Sequence, residues 1–160
     1  MTGTLAIDPG HKAGVVLALY PARGMALIGT PYTGRMVRGD RPIEIARTVE
    51  WAVTAGATAC VIEWPRPRKE DAAPTEKGRR GATPTTLIGM GASAGRWEQA
   101  AGSLGLRVTR VYPEVWQRAT GGRENEMRFI LARSLGIETE SVDVASAACI
   151  AAWAEKEVGR

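Results

Sequence analysis

Three acidic residues of this chain, Asp8, Glu63 and Asp143, are spaced so that one fold could bring them to a common site. Asp8 directly follows the apolar residues 5–7, and Glu63 directly follows the apolar residues 60–62, so each ends a predicted buried strand. Asp143 falls in the first turn of a predicted last helix. Carboxylates gathered within a few ångströms repel one another and are the hard oxygen ligands that Mg²⁺ or Mn²⁺ takes. The spacing therefore predicts a divalent-cation site.

Each of these acids also has an ordinary structural interpretation when it is taken alone. Asp8 begins an Asp-Pro-Gly turn, Glu63 suits a solvated loop, and Asp143 suits a partner for the helix dipole. Two charges that each end a buried strand are harder to explain in this way. We therefore favour the shared site.

The elements that must position these acids are predicted from hydrophobic periodicity. Two strands, 5–7 and 15–20, form a hairpin, and a third strand is predicted from Met25 to Ile28. A helix opened by Asp40 and Pro42 and closed by Gly56 precedes a buried parallel strand at 58–62. Further on, the patterns predict a helix at 85–101, a strand at 106–111, a helix around 127–131 and a last helix at 143–153.

This order predicts an α/β fold: a mixed sheet, with three antiparallel strands followed by parallel ones, and helices on both faces. In such sheets ligands lie outside the carboxyl ends of the strands, where Asp8 and Glu63 are expected.

The bulk composition is that of an ordinary globular protein. A chain of 160 residues with 44% hydrophobic content predicts one domain over 1–160, and a net charge of +4 is compatible with a polyanionic partner. Cys60 and Cys149 lie in apolar runs and are expected to be buried free thiols. With neither a membrane-length apolar stretch nor a signal peptide recognised, we expect no membrane association and a cytoplasmic location.

Residues 65–84 are predicted to be a mobile basic surface loop. This segment holds six positively charged side chains and begins directly after Glu63, so its charges would flank the proposed metal site: Arg66, Arg68, Lys69, Lys77, Arg79 and Arg80. Three acids within the segment dilute the patch, and a plain solvated loop is the alternative. Because of its location we favour contact with a DNA backbone, which would give steep salt dependence.

Four segments together resemble the RuvC-type Holliday junction resolvases of the RNase H-like superfamily. Residues 5–14, with their Asp-Pro-Gly turn, resemble the family's first-strand signature, and 61–63 are similar to its second acidic motif. Residues 104–117 resemble the strand and Pro-x-x-Trp segment of RuvC-like proteins encoded by phages, and 143–151 resemble the closing motif. The four occur in the family's order and span nearly the whole chain.

The resemblance implies a structure-selective endonuclease that hydrolyses phosphodiesters of four-way DNA junctions in a bacterial or phage-infected cell. It implies two Mg²⁺ ions, with Mn²⁺ as a substitute, held by Asp8, Glu63 and Asp143, and no nucleotide cofactor. It also implies a homodimer, since a four-way junction has approximate two-fold symmetry. The small residues from Gly89 to Gly95 would permit a close subunit contact, although packing on the chain's own sheet is the alternative.

The chain departs from the family at Ser146: relatives usually carry two acids, or a histidine and an acid, three residues apart in the closing helix, and Ser146 occupies the later place. Glu140, three residues before Asp143, is held in reserve as a substitute ligand. Ser146 would either hold a metal-bound water or mark a weaker or inactive enzyme.

Three further side chains near the acids have two interpretations each. His11, the single histidine, suits proton transfer or phosphate contact but is more simply a surface turn residue. Lys12 is a candidate phosphate contact with the same reservation. Trp64 could stack on an unpaired base or pack within the fold.

Other functions fit parts of the pattern. A nuclease of the same fold could act on flaps, replication forks or RNA, and Ser146 suits a catalytically silent protein that binds branched DNA. A phosphotransferase related to the actin and sugar-kinase fold also begins with an acidic strand end. Its usual two-lobed cleft needs a longer chain, and the sequence has no Walker-type phosphate loop.

Overall fold

A computed structural model describes residues 2–20, 32–66 and 84–157. In chain order the described elements are β1 (Thr2–Asp8), β2 (Lys12–Tyr20), β3 (Tyr32–Arg38), α1 (Pro42–Ala55), β4 (Ala57–Glu63), α2 (Pro84–Ser103), β5 (Arg107–Val111), α3 (Pro113–Thr120), α4 (Asn125–Ser134) and α5 (Val142–Glu157).

The five strands form one mixed sheet in the order β3-β2-β1-β4-β5. β2 is antiparallel to both β1 and β3, whereas β4 is parallel to β1 and to β5. The register places Ile7 of β1 beside Ile62 of β4, so both strands end at the same edge of the sheet. The predicted mixed sheet is confirmed.

Helices cover both faces of the sheet because side chains alternate between its faces along each strand. Leu5 and Ile7 share a buried cluster with residues of α1 and α2, whereas Ala6 and Val61 share one with residues of α3, α4 and α5. The predicted three-layer arrangement is therefore confirmed.

α5 is the most enclosed helix, and its residues 144–152 are all buried. Its many alanines allow the helix backbone to lie close to the sheet. The approach is closest at Gly14 of β2, where an added Cβ would overlap the backbone carbonyl of Asp143. A glycine at this position therefore sets how near α5 comes to the strands.

Two features of the fold differ from the sequence prediction. The observed β3 is Tyr32–Arg38, a segment for which the sequence patterns predict no strand, and the strand predicted from Met25 to Ile28 lies outside the described residues. The sequence patterns predict no helix directly after the strand at 106–111, but Pro113 begins α3 there, because proline suits the first position of a helix.

The described part of the chain contains no helix that is long and apolar enough to cross a membrane. Both cysteines are buried free thiols, as expected.

We expect Gly14→Ala to lower the free energy of unfolding by about 1–3 kcal/mol, because the new methyl group forces α5 away from β2. The measurement is urea denaturation followed by circular dichroism. Gly102→Ala in α2 is the matched control, since nothing lies within 4 Å of the added Cβ there, and its expected effect is neutral or stabilising by up to about 1 kcal/mol. Equal stability of wild type and Gly14→Ala would contradict the close-approach explanation.

Candidate active site

The carboxyl ends of β1 and β4 carry Asp8 and Glu63 side by side. Ala6 and Val61 point toward α5, and residues two positions further along a strand point to the same face. Asp8 and Glu63 therefore lie on the α5 side of the sheet. Glu63 is 7% exposed, whereas Asp8 keeps partial access to solvent.

Asp143 joins these two acids from the first turn of α5. The pKa of Asp8 is raised well above its usual value, first by burial of its carboxyl group, then by the charge of Glu63, then by that of Asp143. Two elements that are distant from β1 in sequence thus place their carboxylates within electrostatic range of Asp8. Such mutual repulsion is what a bound cation relieves.

Two side chains oppose this repulsion at Asp8. Ser146 lowers the pKa of Asp8 through a hydrogen bond, and Arg128 lowers it through its positive charge. At Asp143, burial raises the pKa, and Lys12 and Arg128 lower it. Arg128 is therefore the cation that acts on both carboxylates.

Arg128 is anchored on α4 by several groups. Its Nε donates to the carbonyl of Gly122 at 2.7 Å, and its Nη1 donates to Ser146 Oγ at 3.1 Å. Its guanidinium lies over the ring of Trp116, 5.2 Å from the centroid. These contacts hold the charge at the acidic site.

Trp116 of α3 contacts both Arg128 and Glu63. The indole is 1% exposed, and its Nε1 donates to Glu63 Oε2 at 2.6 Å. The two sides of the site are thereby linked through side-chain contacts, which run from Glu63 through Trp116 and Arg128 to Ser146 and Asp8.

The acids at this site match the small number of carboxylate ligands that Mg²⁺ usually takes from a protein. Within residues 2–20, 32–66 and 84–157 there is no group of three or more His, Cys, Asp or Glu side chains able to hold a metal. Mg²⁺, however, usually keeps several waters and binds one or two carboxylates together with substrate phosphates. Asp8 with one neighbouring carboxylate fits that pattern. The ligand set of Asp8, Glu63 and Asp143 stays a prediction.

The two candidates for a further metal ligand in the closing segment, Ser146 and Glu140, lie in different environments. Ser146 is completely buried and hydrogen-bonds to Asp8. Glu140 is exposed and lines a surface pocket of about 730 Å³ together with Phe129 and Arg133. Ser146 therefore belongs to the site, and Glu140 belongs to a different surface.

The other predicted residues lie around the strand ends, and among them Lys12 acts electrostatically on Asp143. His11 is 67% exposed, and its Nδ1 lies 3.6 Å from Asp40. Trp64 is partly buried on the α1–α2 side of the sheet, and the guanidinium carbon of Arg110 lies 3.9 Å from the centroid of its ring. This arrangement favours the packing role. Lys12 is exposed at the start of β2.

Of the predicted basic loop, the described residues include only its beginning. Arg66 is exposed and forms an ion pair with Glu114 at 2.9 Å. The remaining predicted DNA contacts lie outside the described residues: Arg68, Lys69, Lys77, Arg79 and Arg80.

α2 supports the turn that follows Asp8. Ser93 Oγ donates to the carbonyl of Gly10 at 3.1 Å, and Arg96 donates to the carbonyl of Gly39. The Gly39 amide in turn donates to the carbonyl of His11 at 3.0 Å. The turn that follows β1 is thus held by hydrogen bonds from α2 and from Gly39.

Two residues of the site were not predicted as functional, Trp116 and Arg128. In the sequence, Trp116 stands out only as part of the Pro-x-x-Trp segment. A signal for Arg128 was present, since it lies four residues before the apolar Ala132 and hence on the same inward face of its helix. An arginine on such a face needs acidic or polar partners.

Known structures share this fold over nearly the whole chain. A structure of Thermus thermophilus RuvC is 20% identical with a TM-score of 0.66, and the match covers 96% of this chain and 95% of that one. A structure of T. thermophilus RuvC in complex with a Holliday junction substrate is 17% identical with a TM-score of 0.63, covering 98% and 96%. The chain therefore has the RNase H-like fold of the RuvC resolvases, as the sequence predicted.

No protein-family model matches the sequence, and no curated protein matches it. The likeness to phage-encoded members in particular has no support from these two structures, which are of a bacterial RuvC.

We expect Trp116→Phe to destabilise the fold by about 1–3 kcal/mol, because it removes the donor that faces the buried Glu63 carboxylate. Trp153→Phe is the matched control, since Trp153 packs partly buried against the same helical cluster. Thermal unfolding of both variants provides the comparison. An equal loss in the two variants would show that ring volume, and not the hydrogen bond, causes the effect.

Proposed function

We propose that this protein is a divalent-cation-dependent endonuclease that resolves four-way DNA junctions. The observation that carries the proposal is the convergence of Glu63 and Asp143 on Asp8 at the carboxyl ends of β1 and β4. The fold supports it, because T. thermophilus RuvC, with the same fold, has been captured with a Holliday junction substrate.

The chain's own groups have definable roles in this reaction. Asp8 and a neighbouring carboxylate would hold Mg²⁺, with Mn²⁺ as a substitute. When bound, the ion would activate the attacking water and stabilise the leaving oxygen. Trp116 orients Glu63 by its hydrogen bond. Lys12 is exposed beside Asp143 and suits contact with a phosphate.

DNA affinity is expected to come mainly from backbone contacts around this site. Arg66 follows Glu63 by three residues, and the sequence continues into the basic segment 67–83. Neutralising phosphates releases counterions, so binding should weaken steeply with salt. A nuclease of the same fold acting on flaps, forks or RNA would share this property, and only a comparison of substrates separates them.

We expect Asp8→Asn to reduce Mg²⁺-dependent cleavage at least about 100-fold while junction binding persists, because it removes a metal ligand. The assay compares a synthetic four-way junction with linear duplex, a flap, a fork and RNA, with and without EDTA. Asp40→Asn is the control, since Asp40 is exposed and paired with Arg38.

Full cleavage by Asp8→Asn would remove the acidic site from the reaction. Cleavage of flaps, forks or RNA in preference to the junction would replace the proposed substrate. Junction binding without cleavage by the wild type would identify a silent branched-DNA-binding protein, the alternative that Ser146 suggests.

We also propose that the protein acts as a homodimer, since two symmetric cuts require two active sites. The buried side of α2 is formed by Ala94, Trp97 and Ala101, whereas an added Cβ at Gly89 or Gly91 meets nothing within 4 Å. These two glycines therefore do not serve packing within the described chain. They leave a narrow helix surface that a second copy would fit.

Sedimentation equilibrium tests this assembly. We expect the wild type to have twice the mass of the chain and Gly91→Glu to shift toward the monomer, because a charged side chain would be buried at the contact. Gly102→Glu, which is exposed near the other end of α2, should leave the mass unchanged. A monomeric wild type at the concentrations used for cleavage would refute the dimer.

A further inference from the structure

Arg128 stands out among the groups around the acids, because its position is fixed by partners that carry no negative charge. Its donors reach the carbonyls of Gly122 at 2.7 Å and Arg123 at 3.4 Å, and the hydroxyl of Ser146 at 3.1 Å. None of these contacts neutralises the guanidinium. Its full charge therefore remains available to the nearby carboxylates.

Ser146 separates this charge from Asp8. Its hydroxyl accepts a hydrogen bond from Arg128, and it hydrogen-bonds to Asp8. Because Ser146 is completely buried and neutral, it fills this side of Asp8 without adding a negative charge. The space between Asp8 and α4 is thus occupied by a hydroxyl backed by a fixed cation.

We propose that Arg128 serves as a permanent positive charge of the active site, so that the site binds one divalent cation instead of the two implied by the sequence resemblance. The inference deepens the proposed nuclease function and rests on it. Its basis is the geometry of Arg128, Ser146 and Asp8, together with the lack of a ligand group of three or more His, Cys, Asp or Glu side chains among the described residues.

Charge balance supports a single ion. Three ionised carboxylates carry three negative charges, which one divalent ion and the Arg128 guanidinium already offset, and Lys12 adds a further positive charge near Asp143. A second divalent ion would have to enter beside the partly buried guanidinium, and like charges a few ångströms apart repel each other. Arginine cannot relieve that repulsion by losing a proton.

Binding of Mn²⁺ alone to the full-length chain tests the inference without requiring cleavage. Electron paramagnetic resonance of unbound Mn²⁺ counts the ions, and we expect one per chain for the wild type. In Arg128→Met the competing charge is gone, so we expect Mn²⁺ to bind about tenfold more tightly, while cleavage of the junction falls. Arg133→Met, which is exposed on the same helix, is the matched control and should change neither.

Opposite changes in metal binding and cleavage distinguish a charge role from a structural one. If Arg128 only supported the fold, Arg128→Met would weaken Mn²⁺ binding as well. Arg128→Lys preserves the charge and should keep Mn²⁺ binding within about twofold of the wild type, which covers the case in which the methionine variant does not fold. Weaker Mn²⁺ binding in a folded Arg128→Met would overturn the proposal.

A gain-of-site variant provides the complementary test. Ser146→Asp alone should still bind one ion, because the new carboxylate pairs with Arg128. The double variant Ser146→Asp with Arg128→Met should bind two, since a ligand has been added and the fixed cation removed. Two ions bound by the wild type would also overturn the proposal.

The two hypotheses fail in different ways. If the wild type binds one Mn²⁺ and Arg128→Met binds it more tightly, but no DNA substrate is cut, the proposed function fails and the cation balance stands. If the junction is cut with two ions bound, the proposed function stands and the role of Arg128 fails.

Discussion

The repulsion that Glu63 and Asp143 exert on Asp8 at a buried strand end is the interaction on which the rest of this site depends. Burial, together with the charges of these two acids, raises the pKa of Asp8. Such an arrangement costs free energy unless cations or hydrogen-bond donors balance it. α3 contributes the donor Trp116, and α4 contributes Arg128. The helices on this face therefore stabilise the charges as well as covering the sheet.

Much of this organisation could be predicted from the sequence because it follows from short-range patterns. Apolar runs that end in an acid locate β1 and β4, and the parallel pairing of these strands then places Asp8 beside Glu63. The contribution of α4 was not predicted, since an arginine in a helix is ordinarily solvated and its acidic partners here lie on other elements. The pairing of Arg128 with Ser146 spans 18 residues and depends on how α4 packs against α5.

Ser146 illustrates why one substitution is difficult to interpret without its surroundings. Read alone, a serine in place of an acid suggests a depleted metal site. In the structure the serine is bonded to a cation, and the pair occupies the region between Asp8 and α4. Ser146 adds no negative charge beside Asp8, and Arg128 adds a positive one, so both residues make the site less negative. A less negative site is expected to hold fewer divalent cations.

The two outer strands of the sheet have a consequence for how copies of the chain meet. β3 and β5 lie at the ends of the strand order, and each carries two arginines: Arg35 and Arg38 on β3, Arg107 and Arg110 on β5. Charged side chains on outer strands disfavour edge-to-edge pairing, the route by which sheets merge into larger aggregates. Self-association through the sheet margins is therefore discouraged on both sides, and helical surfaces remain for any ordered contact between copies.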